Sequence, residues 1–550
     1  MRVIERRIGL LFAAFLLCFL VVVVRAFWLQ GVQGAQLASK AVSQQSQSIL
    51  LPSLRGSVLD RHGNELATSE DAATIFAIPS EVRKPALAAE KLAPILDLPE
   101  SEVLAELTAE SGYAALAHKV DLPTTQRIER LGLAGIGEDP DSRRTYPQGE
   151  MAAQVIGAVG SEDEGLTGLE SSEDEVLRGD DGERQIVTDA KGDTIRLETV
   201  DEAEDGDDIQ LTLDPAIQES AERALSEVGE AYAPKGATAI VMDPRSSEVL
   251  AMANWPPVDP TDLSSADPEH LLNRATGFTY EPGSTFKAFT VAAALDDKLV
   301  TPASAFTLPP TIQVADRVIE ESHARGTETL SVAQILAHSS NVGAVTIGLQ
   351  LGSEKFSRWI KRFGFGRPTE VGFPAEEQGI VPALEDYSGS TMGNLPLGQG
   401  LSVTPMQMMA GYQAIANGGV LRRPQLIEEV GGEPVEEPHG HRVFGADVAA
   451  QVREMLEGVL EAGGTASAVS VPGYTLAGKT GTAEVAENGT YSETKYVASF
   501  IGFAPAQDPR LLVGVVVDQP QGDIYGGSVA APAFGKIAAF ALPYLGVAPE

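Results

Sequence analysis

Hydrophobic positions along this chain change their spacing several times, and each change marks an element. From Ile8 to Val24 no residue is charged, and Arg25 is followed by Ala26-Phe27-Trp28-Leu29, so the segment approaches the roughly 20 residues that cross a bilayer as a helix. Gln30 to Gln47 is polar and reads as a helical stretch leading away from it. Val58-Leu59 predicts a short strand, Arg61-His62-Gly63-Asn64 a turn, and Leu87, Leu92, Ile95 and Leu96 a helical face within 85–110. An apolar stretch from Ala152 to Val159 is closed by Gly160. Beyond residue 208 the pattern becomes mixed. Ile209 to Asp214 alternates as a strand, and Asp214-Pro215 caps a helix that carries Ile217, Ala221 and Leu225. Ala237–Met242 and Val249–Ala253 form a hairpin of buried strands, and helices follow at Phe286–Leu295, at Leu330–Leu336 and from Thr404-Pro405 to Gly418-Gly419. Strands at Tyr474–Val485, Tyr496–Phe503 and Leu511–Val517 precede a last helix starting at Ala531. Strand runs on either side of a helical middle predict a mixed α/β domain of the α+β kind, an antiparallel sheet with helices packed on it and beside it.

Charge divides the chain. Ser161 to Asp208 holds 19 acidic and 4 basic residues, and its end, Asp201-Glu-Ala-Glu-Asp-Gly-Asp-Asp, marks a domain boundary. The 550 residues therefore split into residues 1–7, an apolar anchor at 8–28, a first domain over 29–205 and a second over 206–550. Arg2, Arg6 and Arg7 precede the apolar run, which places the N-terminus in the cytoplasm and the remainder outside. Arg25-Ala-Phe-Trp is a poor cleavage site, so an uncleaved anchor is preferred over a signal peptide. A net charge of −37 argues against nucleic acid as a partner. One cysteine, Cys18, excludes an intramolecular disulfide.

Three short strings carry the candidate chemistry: Ser284-Thr-Phe-Lys287, Ser339-Ser-Asn341 and Lys479-Thr480-Gly481-Thr482, set 55 and 140 residues apart. Glu281-Pro282-Gly283 is turn and helix-start material, which places Ser284 at a helix N-terminus and Lys287 one turn on, on the same face. A serine needs a neighbouring base to act as a nucleophile, and a lysine becomes one when burial or a second cation, here Lys479, lowers its pKa. Ser339 is suited to relay a proton to a leaving nitrogen, and the Asn341 amide to hold a substrate carbonyl. The run around Lys479 alternates like an edge strand, where Gly481 permits close approach of another backbone and a peptide can add. Each string alone also reads as ordinary capping, turn or strand chemistry; the set in this order does not. His439-x-His441 lies in a Glu/Pro/Gly loop and is a weak metal candidate, and there is no Gly-x-Ser-x-Gly elbow, phosphate-binding loop or dinucleotide fingerprint.

With these strings the chain resembles the class B penicillin-binding proteins, monofunctional D,D-transpeptidases of peptidoglycan synthesis. The likeness extends to Arg55–Ala67, Arg144-Thr-Tyr-Pro-x-Gly149, Gly165-Leu-Thr-Gly-Leu-Glu170, Gly398-Gln-Gly400 with Thr404-Pro405, and Tyr525-Gly-Gly-Ser-Val-Ala-Ala-Pro532. The resemblance implies an anchor, an elongated pedestal domain for interaction, and a transpeptidase domain, with the motif spelling closer to septal members. It implies Ser284 as the acyl-enzyme nucleophile, Lys287 as its base, Ser339 as relay, Asn341 on the substrate amide, Lys479 as positive charge and Thr480 and Thr482 on the terminal carboxylate. Backbone N–H groups of Ser284 and Thr482 would form the oxyanion hole. No cofactor or metal is implied. The implied partners are stem peptides ending in D-Ala-D-Ala, β-lactams as inhibitors, the membrane, and a membrane-embedded glycosyltransferase. The alternatives are a serine β-lactamase and a non-catalytic penicillin-binding receptor or scaffold. The pedestal and anchor count against the first, as do Ser390 and Gln413, which stand four residues before Asn394 and Asn417, where a deacylating glutamate would be expected. The intact serine and lysines count against the second.

Overall fold

The computed structural model describes residues 2–33, 46–188, 194–487 and 490–550. Arg2–Phe27 is one α-helix that runs on through a single π turn, Trp28–Val32. None of its apolar window is buried, and Phe12, Phe15 and Val22 are exposed. By length and composition this helix is able to span a bilayer. The expected helical stretch at Gln30–Gln47 lies largely outside the described residues, and its last two residues begin a strand, Ser46–Leu51.

The chain forms two compact units: Met1–Leu54, Asp71–Arg143 and Gly179–Gly206 make one, and Arg55–Glu70, Arg144–Arg178 and Asp207–Glu550 the other. Two segments from before residue 206 are grouped with the C-terminal residues. In the first unit, helices Pro85–Leu96 and Glu100–Leu107 bury Ala89, Leu92, Val103 and Leu107 against Ile75 and Leu116 of antiparallel strands. An antiparallel three-stranded sheet of Ser46–Leu51, Gly182–Thr188 and Thr194–Asp201 completes it.

Buried charge ties the two early segments of the second unit to each other. Glu170 is fully buried and receives Arg55 Nε at 2.5 Å and Arg144 Nε at 2.7 Å on its two carboxylate oxygens. Arg55 also reaches Asp174 at 2.6 Å, and Arg144 donates to the carbonyl of Gly56 at 2.8 Å. Buried ions persist only when paired and hydrogen-bonded, so these segments are held to one another. Val58 then pairs in parallel with Ile209, joining the early segment to the start of the C-terminal part.

The sheet that supports the candidate strings is antiparallel, in the order β2-β1-β5-β4-β3, with β1 Gly236–Met242, β2 Val249–Trp255, β3 Ala477–Glu487, β4 Thr490–Ala504 and β5 Leu511–Asp518. The expected hairpin, three late strands and an edge position for Lys479 are all present. All eight residues of β5 are buried, so the sheet is covered on both faces. Gly514 admits Met409 of helix α5 (Pro405–Ala416) on one face, while Gly502, paired with Val513, admits Phe534 of helix α6 (Ala531–Tyr544) on the other. Helix α1 (Pro215–Tyr232) starts as expected, with the Asp214 side chain accepting from the N–H groups of Ala216 and Ile217. Helices α2 (Lys287–Asp296), α3 (Val332–Ala337) and α4 (Asn341–Leu351) lie in the middle segment. Leu330, expected in a helix, belongs to strand Glu328–Ser331 instead. Ser331 and Gln334 form a reciprocal capping box, so the helix begins after the serine.

Glu170→Ala would leave two buried guanidinium groups without their carboxylate and is expected to cost about 3 kcal/mol or more. The check is the denaturant midpoint of this unit followed by Trp255 and Trp359 fluorescence; an unchanged midpoint contradicts the account.

Candidate functional site

Ser284 sits in a tight 3₁₀ turn, Gly283–Phe286, that runs directly into α2. In such a turn residues three apart eclipse one another, which stacks Lys287 behind Ser284. The turn is braced from below. Gly283 donates its N–H to the Gly398 carbonyl at 3.0 Å, and Gly398 has φ 79°, where a Cβ would lie 2.2 Å from the Gly283 oxygen. Tyr412 donates its hydroxyl to the Thr285 carbonyl at 2.7 Å, and Glu281 accepts the Gly400 N–H at 2.9 Å. Ser284 is half-buried and faces a cleft, whereas Thr285, Phe286 and Lys287 are buried.

Lys287 is 1 % exposed, and its amine donates to the Ser339 carbonyl at 2.6 Å, to Asn341 Oδ1 at 2.7 Å and to Ser339 Oγ at 3.3 Å. Ser339 adopts left-handed backbone, φ 59°, which turns its carbonyl and its side chain to the same amine. Ser340 caps α4 by accepting from the Gly343 N–H. Burial lowers the Lys287 pKa to about 7, opposed by the negative charge of Glu321.

Glu321 was not legible in the sequence. Its carboxylate lies at the N-terminus of α4 and accepts the N–H of Asn341 at 2.8 Å, the N–H of Val342 at 3.1 Å and the Ser340 hydroxyl at 2.7 Å. Arg325 closes an ion pair with it. Hydrogen bonds from Arg325, Ser340 and Asn341 outweigh desolvation and hold its pKa below the usual glutamate value. Next to it, the Glu320 carbonyl accepts from Asn341 Nδ2 at 2.8 Å. The second string is thus positioned by a loop some twenty residues upstream.

The third string lies in β3, paired with β4 so that Lys479 faces Ile501 and Gly481 faces Ser499. A Cβ on Gly481 would lie 2.3 Å from Ser499 Oγ and 3.0 Å from the Pro282 carbonyl, so this glycine allows the Ser284 turn to pack on the strand. The close approach expected at Gly481 is therefore made first by the protein itself. Gly526 packs as tightly: a Cβ there would sit 2.3 Å from the Gly481 carbonyl, and its N–H donates to Thr482 Oγ1 at 3.1 Å. Thr480 Oγ1 lies 2.6 Å from Thr465 Oγ1, a second residue that the sequence did not single out.

Lys479 is fully buried, and its amine reaches the Thr480 carbonyl at 3.2 Å. Burial pushes its pKa well below the ordinary lysine value, and the neighbouring Lys287 charge lowers it further. The sequence-based expectation assigned part of the Lys287 shift to Lys479. In the structure burial is the larger cause for both amines, and the repulsion between them adds to it.

Ser284, Ser339, Asn341, Thr480 and Thr482 all line one cleft of ≈ 690 Å³, with the two lysines set behind its wall. His323 and Tyr525 stack across it with ring centres 5.9 Å apart. This arrangement supplies a hydroxyl, two amines of lowered basicity, a polar relay and an edge strand for an extended ligand. His439 pairs with Glu436 at 3.2 Å, and among the described residues no three His, Cys, Asp or Glu side chains converge to hold a metal.

Comparison with known proteins agrees with this geometry. Residues 237–539 match the penicillin-binding protein transpeptidase domain, and residues 50–211 the penicillin-binding protein dimerisation domain. The chain is 36 % identical to stage V sporulation protein D of Bacillus subtilis, covering 97 % of this chain and 84 % of that protein. It is 32 % identical to the peptidoglycan D,D-transpeptidase FtsI of Escherichia coli, covering 100 % of this chain and 93 % of that one. Penicillin-binding protein 3 of Mycobacterium tuberculosis, solved in complex with aztreonam, superposes with a TM-score of 0.72 at 29 % identity, covering 91 % of this chain and 98 % of that one. A braced serine turn, a buried lysine pair and an edge strand sharing one cleft, on a chain that carries both family domains, make this protein a member of the class B penicillin-binding proteins of the division type.

Proposed function

We propose that the protein is a serine D,D-transpeptidase that cross-links peptidoglycan stem peptides during septal wall synthesis, with Ser284 as the acylated residue. The observation that carries this reading is the convergence of Ser284, Ser339, Asn341, Thr480 and Thr482 on one cleft, backed by Lys287 and Lys479. Ser284 Oγ attacks the carbonyl carbon of the penultimate D-alanine while its proton passes to the Lys287 amine. Backbone N–H groups of Ser284 and Thr482 take the oxyanion. Collapse expels D-alanine, its nitrogen receiving a proton through Ser339, and leaves an ester on Ser284. The amine of a second stem peptide then attacks that ester, forming the cross-link and returning the proton. Asn341 holds the donor amide, and Thr480, Thr482 and Lys479 receive the donor's terminal carboxylate.

The lysine pair sets the timing of these steps. Burial disfavours charge on either amine, and a charge on Lys287 disfavours one on Lys479, so the pair holds one proton with ease and two with difficulty. Lys287, with two acceptors within 2.7 Å, is the better seat for that proton in the empty cleft. A carboxylate arriving beside Thr480 and Thr482 stabilises charge on Lys479 instead, which frees Lys287 as a base when donor is bound.

The same reading places residues 1–7 in the cytoplasm, 8–28 in the membrane, 29–205 as the pedestal and 206–550 as the catalytic domain outside. Arg2, Arg6 and Arg7 before the apolar helix support that orientation. A membrane-embedded glycosyltransferase would supply the glycan strands that this domain cross-links.

A membrane-impermeant fluorescent penicillin added to spheroplasts is expected to label the protein at Ser284, and Ser284→Ala to abolish the label. Intact-mass spectrometry should show an adduct lasting many minutes. Label on the mutant or on Ser339, or release within seconds as in a β-lactamase, contradicts the reading.

Because the base must be unprotonated, the acylation rate is expected to rise about tenfold per pH unit below about 7 and to level off above it. Glu321→Gln removes the negative charge that favours the Lys287 ammonium, so the midpoint should move to lower pH. The plateau should also fall, since α4 loses the charge on its N-terminal acceptor. A midpoint that stays in place contradicts the role given to Glu321.

A further inference from the structure

Away from the cleft, a pocket of ≈ 240 Å³ is lined by the half-buried Arg422, the exposed Arg367 and Arg423, and by His439 and His441; Glu370 also lines it, and Glu436 pairs with His439. Three arginines around one pocket stand out in a chain with 77 acidic and 40 basic residues. Acidic partners are plentiful, yet among the described residues none of these three arginines forms an ion pair with a carboxylate. Arg422 donates one Nη1 hydrogen bond to the Pro438 carbonyl at 2.9 Å, while its buried Nε has no acceptor. A buried guanidinium donor left unmatched costs free energy unless a ligand completes it.

The three arginine backbones are also fixed from within the core. Gln407, in the capping box of α5, donates to the Arg367 carbonyl at 2.8 Å. Gln413, six residues further along α5, accepts the Arg422 N–H at 3.1 Å and donates to the Pro244 carbonyl at 2.8 Å. Ser247 donates its hydroxyl to the Arg423 carbonyl at 2.9 Å. Both glutamines and Ser247 are buried, so the pocket rests on rigid parts of the domain.

We propose that this pocket is a binding site for a phosphate group. Guanidinium forks match phosphate oxygens two at a time, and three of them around a small pocket suit a dianion better than a single carboxylate. The volume is enough for a phosphate or pyrophosphate group. Two sources carry that chemistry: a soluble phosphate compound and a phospholipid headgroup. Because the rest of the molecule is strongly acidic, binding works against the global field and depends on the local arginines.

Calorimetric titration of the full chain in detergent with inorganic pyrophosphate, at constant ionic strength, tests the proposal. Saturable one-site binding is expected, weakened at least tenfold in an Arg422→Gln/Arg423→Gln variant and several-fold in Arg423→Gln alone. Penicillin acylation of Ser284 should be unchanged in both variants, which also verifies their folding. Arg223→Gln, at an exposed arginine paired with Glu219, should bind pyrophosphate as the parent does. A parallel titration with monomeric dihexanoyl phosphatidylglycerol separates the sources: tighter binding than pyrophosphate supports a headgroup, weaker binding a soluble phosphate compound. Absence of saturable binding, equal affinity in the double variant, or an equal loss in Arg223→Gln overturns the proposal.

Discussion

Two lysine amines sealed from water beside each other are the constraint on which the rest of this site depends. An ammonium in such a place lacks its hydration shell, so the surroundings must replace it with acceptors or the proton must leave. Lys287 has both a carbonyl and an amide oxygen within 2.7 Å and still keeps a pKa of only about 7. Lys479 has one carbonyl at 3.2 Å and the charge of Lys287 against it, and is pushed further down. The acceptors that make the first lysine tolerable are themselves demanding. Ser339 offers its carbonyl only by taking a left-handed backbone, and Asn341 is held by the Glu320 carbonyl and the Glu321 carboxylate. Burial of the amines thus accounts for local geometry that would otherwise be unfavourable.

Close packing of glycines brings the three strings to one place. Gly398 lets the loop beneath the serine turn approach it, Gly481 lets that turn lie on the edge strand, and Gly526 fits a second turn against the same strand. A side chain at any of them would separate groups that must sit within hydrogen-bonding distance. The sheet behind is buried on both faces, with Phe534 and Met409 on opposite sides, and gives these contacts a rigid base. Rigidity of this kind suits a cleft that must hold an ester until an acceptor amine arrives.

Much of this arrangement was legible in the chain itself. The order and spacing of the strings, the cap at Asp214, the hairpin after residue 236 and the edge position of Lys479 all follow from local pattern and turn chemistry. What escaped reading depends on contacts between distant segments. Glu321 sits in a loop with no periodicity, and only the fold brings it to the first turn of α4. Thr465 is found beside Thr480 for the same reason. The tie between the two early segments was hidden because Arg55, Arg144 and Glu170 are far apart in sequence and joined only by a buried ion network. Leu330 continues a helical apolar pattern, but the Ser331 cap overrides it. The lowered basicity of Lys287 was foreseen from burial and a second amine, and burial is its larger cause.

Direct titration of the two amines tests the central claim. In full-length protein labelled with ¹⁵N at lysine Nζ, the Lys287 resonance, assigned by Lys287→Met, is expected to change protonation at about pH 7. The Lys479 resonance, assigned by Lys479→Met, should still report a neutral amine there and take up its proton only at lower pH. Ammonium signals from both residues persisting at pH 9 would contradict a site built on two buried amines that share one proton.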